Sequence, residues 1–357
     1  MKVYIRTDAS VEIGTGHVMR CIVLAEQLRK RKVEVTFICR PLIGNLISFI
    51  KEKGFPVKVL LEYKDANRNL INWMKENWKL DAKETADKIT EQMNDAHWLI
   101  IDHYGIDAKW EKLLKQNVKR IMVIDDLANR NHDCDLLLDQ NLYRNMLTRY
   151  NGLVPAKTKQ LLGTKYVLLR DEFLPYINFK RNIHEVKKIL ISFGGSDPTN
   201  ETLKVLKAME SLNLTDLQID VIIGYSNPHR NIILDYCQHL PYVQVHINAQ
   251  HISKLMKEAH IAIGSGGSST WERIFMCLPT LTIETALNQR EILRYLSEIG
   301  VIYHLGKSEK VDESHITIGI LELITNKNKL KQMIDSLTKL KEQFEVNAVS
   351  EELISLS

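Results

Sequence analysis

Short runs of apolar and β-branched residues alternate along this chain with longer stretches of helical period, and the alternation occurs twice. In the first half, Lys2–Arg6, Glu34–Cys39, Pro56–Leu60, Trp98–Asp102, Arg120–Ile124 and Leu136–Leu138 predict strands. In the second half, Lys188–Phe193, Gln218–Ile223, Val243–Ile247, Ile261–Ile263, Thr280–Ile283 and Ile302–His304 predict a similar series. Strands that alternate with helices build parallel sheets covered on both faces. Two such series predict an α/β protein of two doubly wound, Rossmann-like domains. The helix after the first strand carries the pattern well. Val18, Cys21, Ile22, Ala25 and Leu28 recur at helical spacing, while Glu26, Arg29 and Lys30 fall on the other face.

The boundary is expected near residue 174, giving domains 1–174 and 175–357 joined by a linker around Pro175–Glu185. The chain beyond Lys307 is helical and charged, and its last helix either packs back on the first domain or caps the second. Tyr63–Asn94, rich in Lys, Asp, Asn and Glu, reads as surface helices inserted between two strands.

Composition changes this picture little. With 45% apolar and 26% charged residues the 357-residue chain is an ordinary globular one. A net charge of +4 tolerates an anionic substrate and gives no case for a nucleic-acid partner. The five cysteines are scattered and form no Cys-x-x-Cys, which reads as free thiols in a reducing compartment. The opening MKVYIRTD is a strand rather than a signal peptide, and no apolar run approaches the roughly 20 residues of a membrane span. A cytoplasmic protein without a membrane partner, a monomer or weak homo-oligomer, is expected.

Ligands of open parallel sheets bind at the carboxyl ends of the strands, and polar and glycine residues gather there in both halves. Asp8 through His17 follow the first strand, Asp102-His103-Tyr104 the fourth and Asp125-Asp126 the fifth. Gly194-Gly195-Ser196-Asp197, Gly224-Tyr225-Ser226 and Gly264 through Glu272 occupy the equivalent places in the second half.

Gly14 and Gly16 permit a tight turn that opens into a helix, and His17 sits in its first turn. The positive helix end disfavours an imidazolium there and keeps the ring able to accept a proton. Asp8 is a candidate to orient the ring. A plain helix-start histidine fits this spacing equally well. The second motif is longer. Gly264-Ser265-Gly266-Gly267-Ser268-Ser269-Thr270 leads from a strand into a helix, offering N–H groups and hydroxyls to a diphosphate without a metal. Glu272, further into that helix, is suited to take both hydroxyls of a ribose. A simple turn capped by Ser268 or Ser269 is the alternative. The segment lacks the Gly-Lys-Ser/Thr of a Walker A loop, which disfavours NTP hydrolysis. Gly195, Ser196 and Gly224 can line the phosphate side, or simply form turns. Asn288-Gln289 offers amides to sugar hydroxyls or acetamido groups, although amides are common on loops and composition alone favours a plain loop. The acidic run from Asp125 to Asp139 lacks a recognised metal spacing, so neither a metal nor a cofactor is expected.

The segments IRTDAS..IGTGHVMRC (5–21), IDHYGIDAKWE (101–111), IDDLANRNHDCDLLLDQN (124–141), LLGTKYVLLRDEF (161–173), ISFGGSDPTN (191–200), GSGGSSTWER (264–273) and ETALNQ (284–289) together resemble the PseG family. These are UDP-sugar hydrolases of pseudaminic acid biosynthesis, related to spore-coat polysaccharide proteins and similar to MurG-type enzymes. The resemblance implies a GT-B fold, two facing Rossmann-like domains with an interdomain cleft. It also implies hydrolysis of UDP-2,4-diacetamido-2,4,6-trideoxy-β-L-altropyranose at the anomeric carbon, releasing UDP and the free sugar. It places the catalytic base on His17. The sugar side would comprise Asp8, Gly14, Gly16, Arg20, Tyr104, Arg170, Asn288 and Gln289. UDP would meet Gly195, Ser196, Gly224, Ser265 through Thr270, and Glu272.

The same pockets would serve a UDP-sugar glycosyltransferase, with an alcohol in place of water. A lack of exposed apolar surface near the first loop would favour hydrolysis over transfer to a lipid. A non-catalytic nucleotide-sugar-binding protein is the third reading, and His17 argues against it. A nicotinamide dehydrogenase is disfavoured, because Arg20 stands close to where a full G-x-G-x-x-G would place its third glycine.

Overall fold

The computed structural model describes every residue except 68, 92–95, 215 and 225. The chain divides into two compact units. The first comprises Met1–Asn141, Asn145–Leu168 and Glu345–Ser357, and the second Leu142–Arg144 and Leu169–Phe344.

The first unit runs β1 (Lys2–Thr7), α1 (Gly16–Lys30), β2 (Glu34–Cys39), α2 (Ile47–Glu52), β3 (Val57–Val59), α3 (Leu70–Thr90), β4 (Ala96–Asp102), α4 (Ala108–Leu114), β5 (Arg120–Ile124), β6 (Leu136–Asp139) and β7 (Lys159–Leu162). All seven strands are parallel, in the order β3-β2-β1-β4-β5-β6-β7. Successive side chains point to opposite faces. Val3, Ile5, Trp98 and Ile100 therefore enter one core, while Tyr4, Leu99 and Ile101 enter the other. The order reverses beside β1, between β1 and β4, and such a switch point opens a crevice at the carboxyl edge. Strand β7 was not expected. It is an edge strand, Lys-Gln-Leu-Leu, with only Leu161 fully buried, so its apolar signal is weak.

The stretch from Tyr63 is not a surface insertion. It carries α3, the crossover from β3 to β4, which buries Leu70, Trp73, Met74, Ala82 and Ile89 against the sheet. The stretch's last residues, 92–94, lie outside the described residues. Asp81, in the middle of α3, is buried and accepts hydrogen bonds from Arg6 (2.9 Å), Arg40 (2.5 Å) and the Trp110 indole N–H (3.0 Å). A carboxylate leaves water only for partners of this kind. The polar residues of α3 made it look like surface, yet Asp81 closes a buried charge network.

The second unit runs β8 (Lys188–Ser192), α5 (Glu201–Ser211), β9 (Gln218–Ile223), α6 (Arg230–Cys237), β10 (Val243–Ile247), α7 (Ile252–Glu258), β11 (Ile261–Gly264), α8 (Ser269–Phe275), β12 (Thr280–Glu284), α9 (Arg290–Glu298), β13 (Tyr303–Lys307), α10 (Glu313–Thr325) and α11 (Lys327–Lys341). Its six parallel strands lie in the order β10-β9-β8-β11-β12-β13, with the switch between β8 and β11. The stretch read as a linker is packed inside this unit. Arg181 donates to the carbonyls of Met256 (2.7 Å), Met276 (3.0 Å) and Ala259. Helix α12 (Ala348–Ser355) belongs to the first unit, where Val349 and Leu353 join the core cluster that includes α1. All five cysteines are buried and free. No helix among the described residues is long and apolar enough to cross a membrane.

Candidate active site

In the first unit the candidate residues meet at the switch point. Helix α1 puts His17, Arg20 and Cys21 on one face, since residues three and four apart are neighbours. That face abuts the end of β4. His17 Nδ1 lies 2.6 Å from Asp102 Oδ1, and Arg20 donates to both Asp102 oxygens through Nε (2.5 Å) and Nη2 (2.7 Å). Arg20 also donates through Nη1 to Asp126 (2.9 Å), beyond the end of β5. The Tyr104 hydroxyl donates to the other Asp126 oxygen (2.8 Å), and its ring meets the His17 ring edge-on at 4.4 Å.

Electrostatics assigns the His17 tautomer. Burial alone would raise Asp102, but the Arg20 charge and His17 hold its carboxyl well below the usual range. An ionised carboxylate can only accept, so Nδ1 must carry the hydrogen. The 3.3 Å approach of Arg20 Nη2 to Nδ1 is then a contact of two donors, each already directed at Asp102. Nε2 keeps its lone pair and has no partner among the described residues. Burial, then the Asp126 charge, raise the Tyr104 phenol, which stays a neutral donor at neutral pH.

Asp8 does not orient His17. It is 1% exposed, pairs with Arg6 (2.8 Å) and accepts the backbone N–H of Arg40 (2.7 Å). Burial would raise it, while Arg6 and His103 hold it below its ordinary value. Its charge is spent inside the fold, so a sugar contact from Asp8 does not fit this arrangement. Gly14 takes a left-handed φ of 75° and closes the loop by donating to Ser10 (2.9 Å). A Cβ at Gly16 would meet nothing within 4 Å, so the helix start beside His17 is open. Near this loop the exposed apolar surface is present rather than absent. Val11 and Ile43 are 58% and 66% exposed, and the Val11 N–H donates to the Ile43 carbonyl (3.0 Å).

The acidic run has internal uses. Asp125 is held by Arg130 (2.8 Å), the Ala128 N–H (2.8 Å) and Tyr150 (3.1 Å). No group of three or more His, Cys, Asp or Glu among the described residues is placed to hold a metal.

In the second unit the glycine turns also meet at the carboxyl edge. Gly224 lacks a Cβ because that atom would stand 2.5 Å from Gly194 O and Gly195 Cα. The Gly195 carbonyl accepts both the N–H and the hydroxyl of Ser226 (3.1 Å each), and Ser196 is half-buried beside it. Tyr225 lies outside the described residues. The loop between β11 and α8 presents Gly267 and Ser268 outward. Ser268 is exposed and makes no cap hydrogen bond, so the capped-turn alternative is not how this loop is built. Ser265, Ser269 and Thr270 instead face Arg273, which sequence reading left without a role. Gly266 packs on Leu293 and donates to the Gln289 carboxamide (3.2 Å), which also accepts the Thr285 N–H (3.0 Å). Gln289 is thus a strut between two loops rather than a sugar contact. Asn288 is exposed. Glu272 is gripped in both oxygens by Arg170 Nε (2.6 Å) and Nη2 (2.9 Å), so neither residue offers itself as first expected.

Sequence reading missed the role of Asp102, because nothing local shows that β4 lies beside β1. The H-x-x-R spacing on α1 was the available signal that one acid would face both residues.

No protein-family model matches the chain. It is 32% identical over 301 residues, 84% of this chain and 97% of the other, to the UDP-2,4-diacetamido-2,4,6-trideoxy-beta-L-altropyranose hydrolase of Campylobacter jejuni. It is 25% identical over 315 residues, 88% of this chain and 86% of the other, to the spore coat polysaccharide biosynthesis protein SpsG of Bacillus subtilis. Among solved structures, MurG of Acinetobacter baumannii superposes with a TM-score of 0.62 at 11% identity, covering 99% of this chain and 98% of that one. The fold is therefore the GT-B class of two Rossmann-like units.

Proposed function

Because this chain belongs to the PseG family, we propose that it is a nucleotide-sugar hydrolase, releasing UDP and free sugar from a UDP-linked 2,4-diacetamido-2,4,6-trideoxy hexose for pseudaminic acid biosynthesis. The observation that carries this reading is the His17–Asp102 pair, with Nδ1 engaged at 2.6 Å and Nε2 without a partner among the described residues. That is the arrangement of an oriented general base. In the reaction, Nε2 accepts a proton from water as the water oxygen bonds to the anomeric carbon. The anomeric C–O bond breaks and its electron pair leaves on UDP. Asp102 stabilises the imidazolium that forms, and the proton then passes to solvent. Arg20 keeps Asp102 ionised, so the base stays on His17. UDP is a good leaving group, so positioning and base catalysis carry most of the barrier reduction.

The sugar side is assigned to Gly14, Gly16, Arg20, Tyr104 and Asn288. Phosphate binding is assigned to Gly195, Ser196, Gly224 and the Ser265–Thr270 loop. A second reading, transfer to an apolar alcohol, draws on the exposed Val11–Ile43 pair beside the catalytic loop.

Incubation with UDP-2,4-diacetamido-2,4,6-trideoxy-β-L-altropyranose, with and without alcohol acceptors, tests both, with UDP and sugar followed by NMR. Hydrolysis gives free sugar equal to UDP without any acceptor. UDP release that requires an acceptor replaces hydrolysis by transfer, and tight binding without release refutes both. His17→Ala is expected to keep UDP affinity within about twofold while turnover falls about 10²- to 10⁴-fold.

A further inference from the structure

Arg273 lies on α8 beneath the loop that joins β11 to it, and is 2% exposed. Its guanidinium occupies a hollow that exists because residue 264 is glycine. A Cβ at Gly264 would stand 3.0 Å from Arg273 Nη1 and would collide with the Ser192 carbonyl. From that hollow Nη2 donates to the Ser265 carbonyl (2.6 Å) and to Thr270 Oγ1 (3.1 Å), and Nη1 donates to Ser269 Oγ (3.1 Å). Nε is buried without a hydrogen-bond partner among the described residues. All three acceptors are neutral.

The carboxylate of Glu272 acts on this charge through space but makes no hydrogen bond to it among the described residues. Glu272 is adjacent in sequence, but both its oxygens are taken by Arg170. Three of the fold's other buried arginines pair with carboxylates, whereas Arg181, like Arg273, is held by neutral oxygens, the carbonyls of Met256, Met276 and Ala259. Arg6 has Asp8 and Asp81, Arg20 has Asp102 and Asp126, and Arg40 has Asp81 and Glu84. Burying a cation without a carboxylate is costly, and an arginine stays charged at neutral pH. Burial lowers Arg273 only to about 10, which leaves it cationic under physiological conditions. The opposite side of the loop is open, with Ser268 exposed and nothing within 4 Å of a Cβ at Gly267.

We propose that Arg273 is a positioning residue for the nucleotide diphosphate, whose negative charge on the outer side of the Ser265–Thr270 loop compensates the guanidinium held beneath it. Arg273 acts through the loop rather than by touching phosphate. Its donation to the Ser265 carbonyl turns that peptide's oxygen inward. Its charge lowers the energy of any anion on the outer side. This role rests on the UDP-sugar reading of the second unit.

The test is UDP affinity by calorimetry for the wild type, Arg273→Lys and Arg273→Gln, with thermal unfolding of each. Lysine keeps the charge, and glutamine keeps one donor without it. Expected are a wild-type-like affinity, within about threefold, for the lysine variant and a loss of about tenfold or more for glutamine, the equivalent of about 1.4 kcal/mol. Glutamine binding UDP like the wild type overturns the proposal. So does equal loss in both variants with equal falls in melting temperature, since that marks a purely structural hydrogen bond. A folded wild type that does not bind UDP removes the nucleotide reading itself, and this role with it.

Discussion

Asp139, at the end of β6, shows how one buried side chain sets a pH response. The Tyr150 hydroxyl lies 3.0 Å from Asp139 Oδ2 and 3.1 Å from Asp125 Oδ2, but it has a single hydrogen to give. Asp125 is ionised beside Arg130, so Tyr150 donates to Asp125 and a protonated Asp139 donates to Tyr150. Burial, and then the Asp126 charge, push Asp139 up to about 8, against the weaker pull of the Asn141 N–H (3.1 Å), the Tyr150 hydroxyl and Arg149 (3.6 Å). The folded state thus holds a proton that the unfolded chain releases above about pH 4. Because the native state binds more protons in that window, this contribution to stability falls as pH rises from about 4 to about 8, then levels. Melting temperatures scanned over that range should show the decline in the wild type, and a shallower one in Asp139→Asn. Parallel curves for the two proteins would remove the assignment. At this same scale the histidine was visible in sequence, whereas its acid was not. His17 and Arg20 share a helix face by local period. Asp102 stands 82 residues from Arg20 and is recognisable only once β4 is placed beside β1.

At the scale of elements, α3 is the one whose sequence misled. Its apolar positions Leu70, Trp73, Met74, Ala82 and Ile89 are interleaved with enough charge to look solvated. One of those charges, Asp81, is what Arg6 and Arg40 need. Arg40 also lies against the stacked rings of Tyr63 and Trp73, 5.2 and 4.7 Å from their centroids. Removing one partner of a buried ion network leaves uncompensated charge and typically costs about 3–5 kcal/mol. Asp81→Asn is expected to destabilise by about that amount in urea unfolding. A change below about 1 kcal/mol would mean the network is not closed by α3. Strands were easier to find than helices here, because a strand buried on both faces is a nearly continuous apolar run. The edge strand β7, buried on little more than one residue, was missed for the same reason.

At the scale of the whole molecule, the chain's last segment completes its first unit. Helix α12 covers α1 with Val349 (2% exposed) and Leu353 (0% exposed). Arg31 pairs with Glu351 at 2.8 Å, and the Trp98 indole N–H donates to Ser357 at 2.9 Å. Helix α1 is buried on more than the face its period marked, and Val23 and Leu24 share their core cluster with Val349 and Leu353. Each apolar side chain contributes roughly 1.5–3 kcal/mol on burial. A chain ending at Phe344 should therefore lose roughly 3–6 kcal/mol, seen as an earlier unfolding transition with a change in tryptophan fluorescence as Trp98 is uncovered. Unchanged unfolding of the shortened chain would show that α12 does not hold the unit together.

By itself the sequence determined what local period and local turn chemistry determine: strands, helices, two sheets and glycine loops at strand ends. These follow from spacing over a few residues, where the physics is steric and hydrophobic. The lateral order of strands is a long-range choice, and it decided which acids meet which bases. It gave His17 to Asp102 rather than Asp8, and tertiary packing likewise gave Glu272 to Arg170. Arg273 is left as a buried cation whose hydrogen-bond acceptors are all neutral. Pairing of this kind depends on which strand ends become neighbours, and on the cost of leaving a buried charge alone, and neither is written in any one stretch of chain.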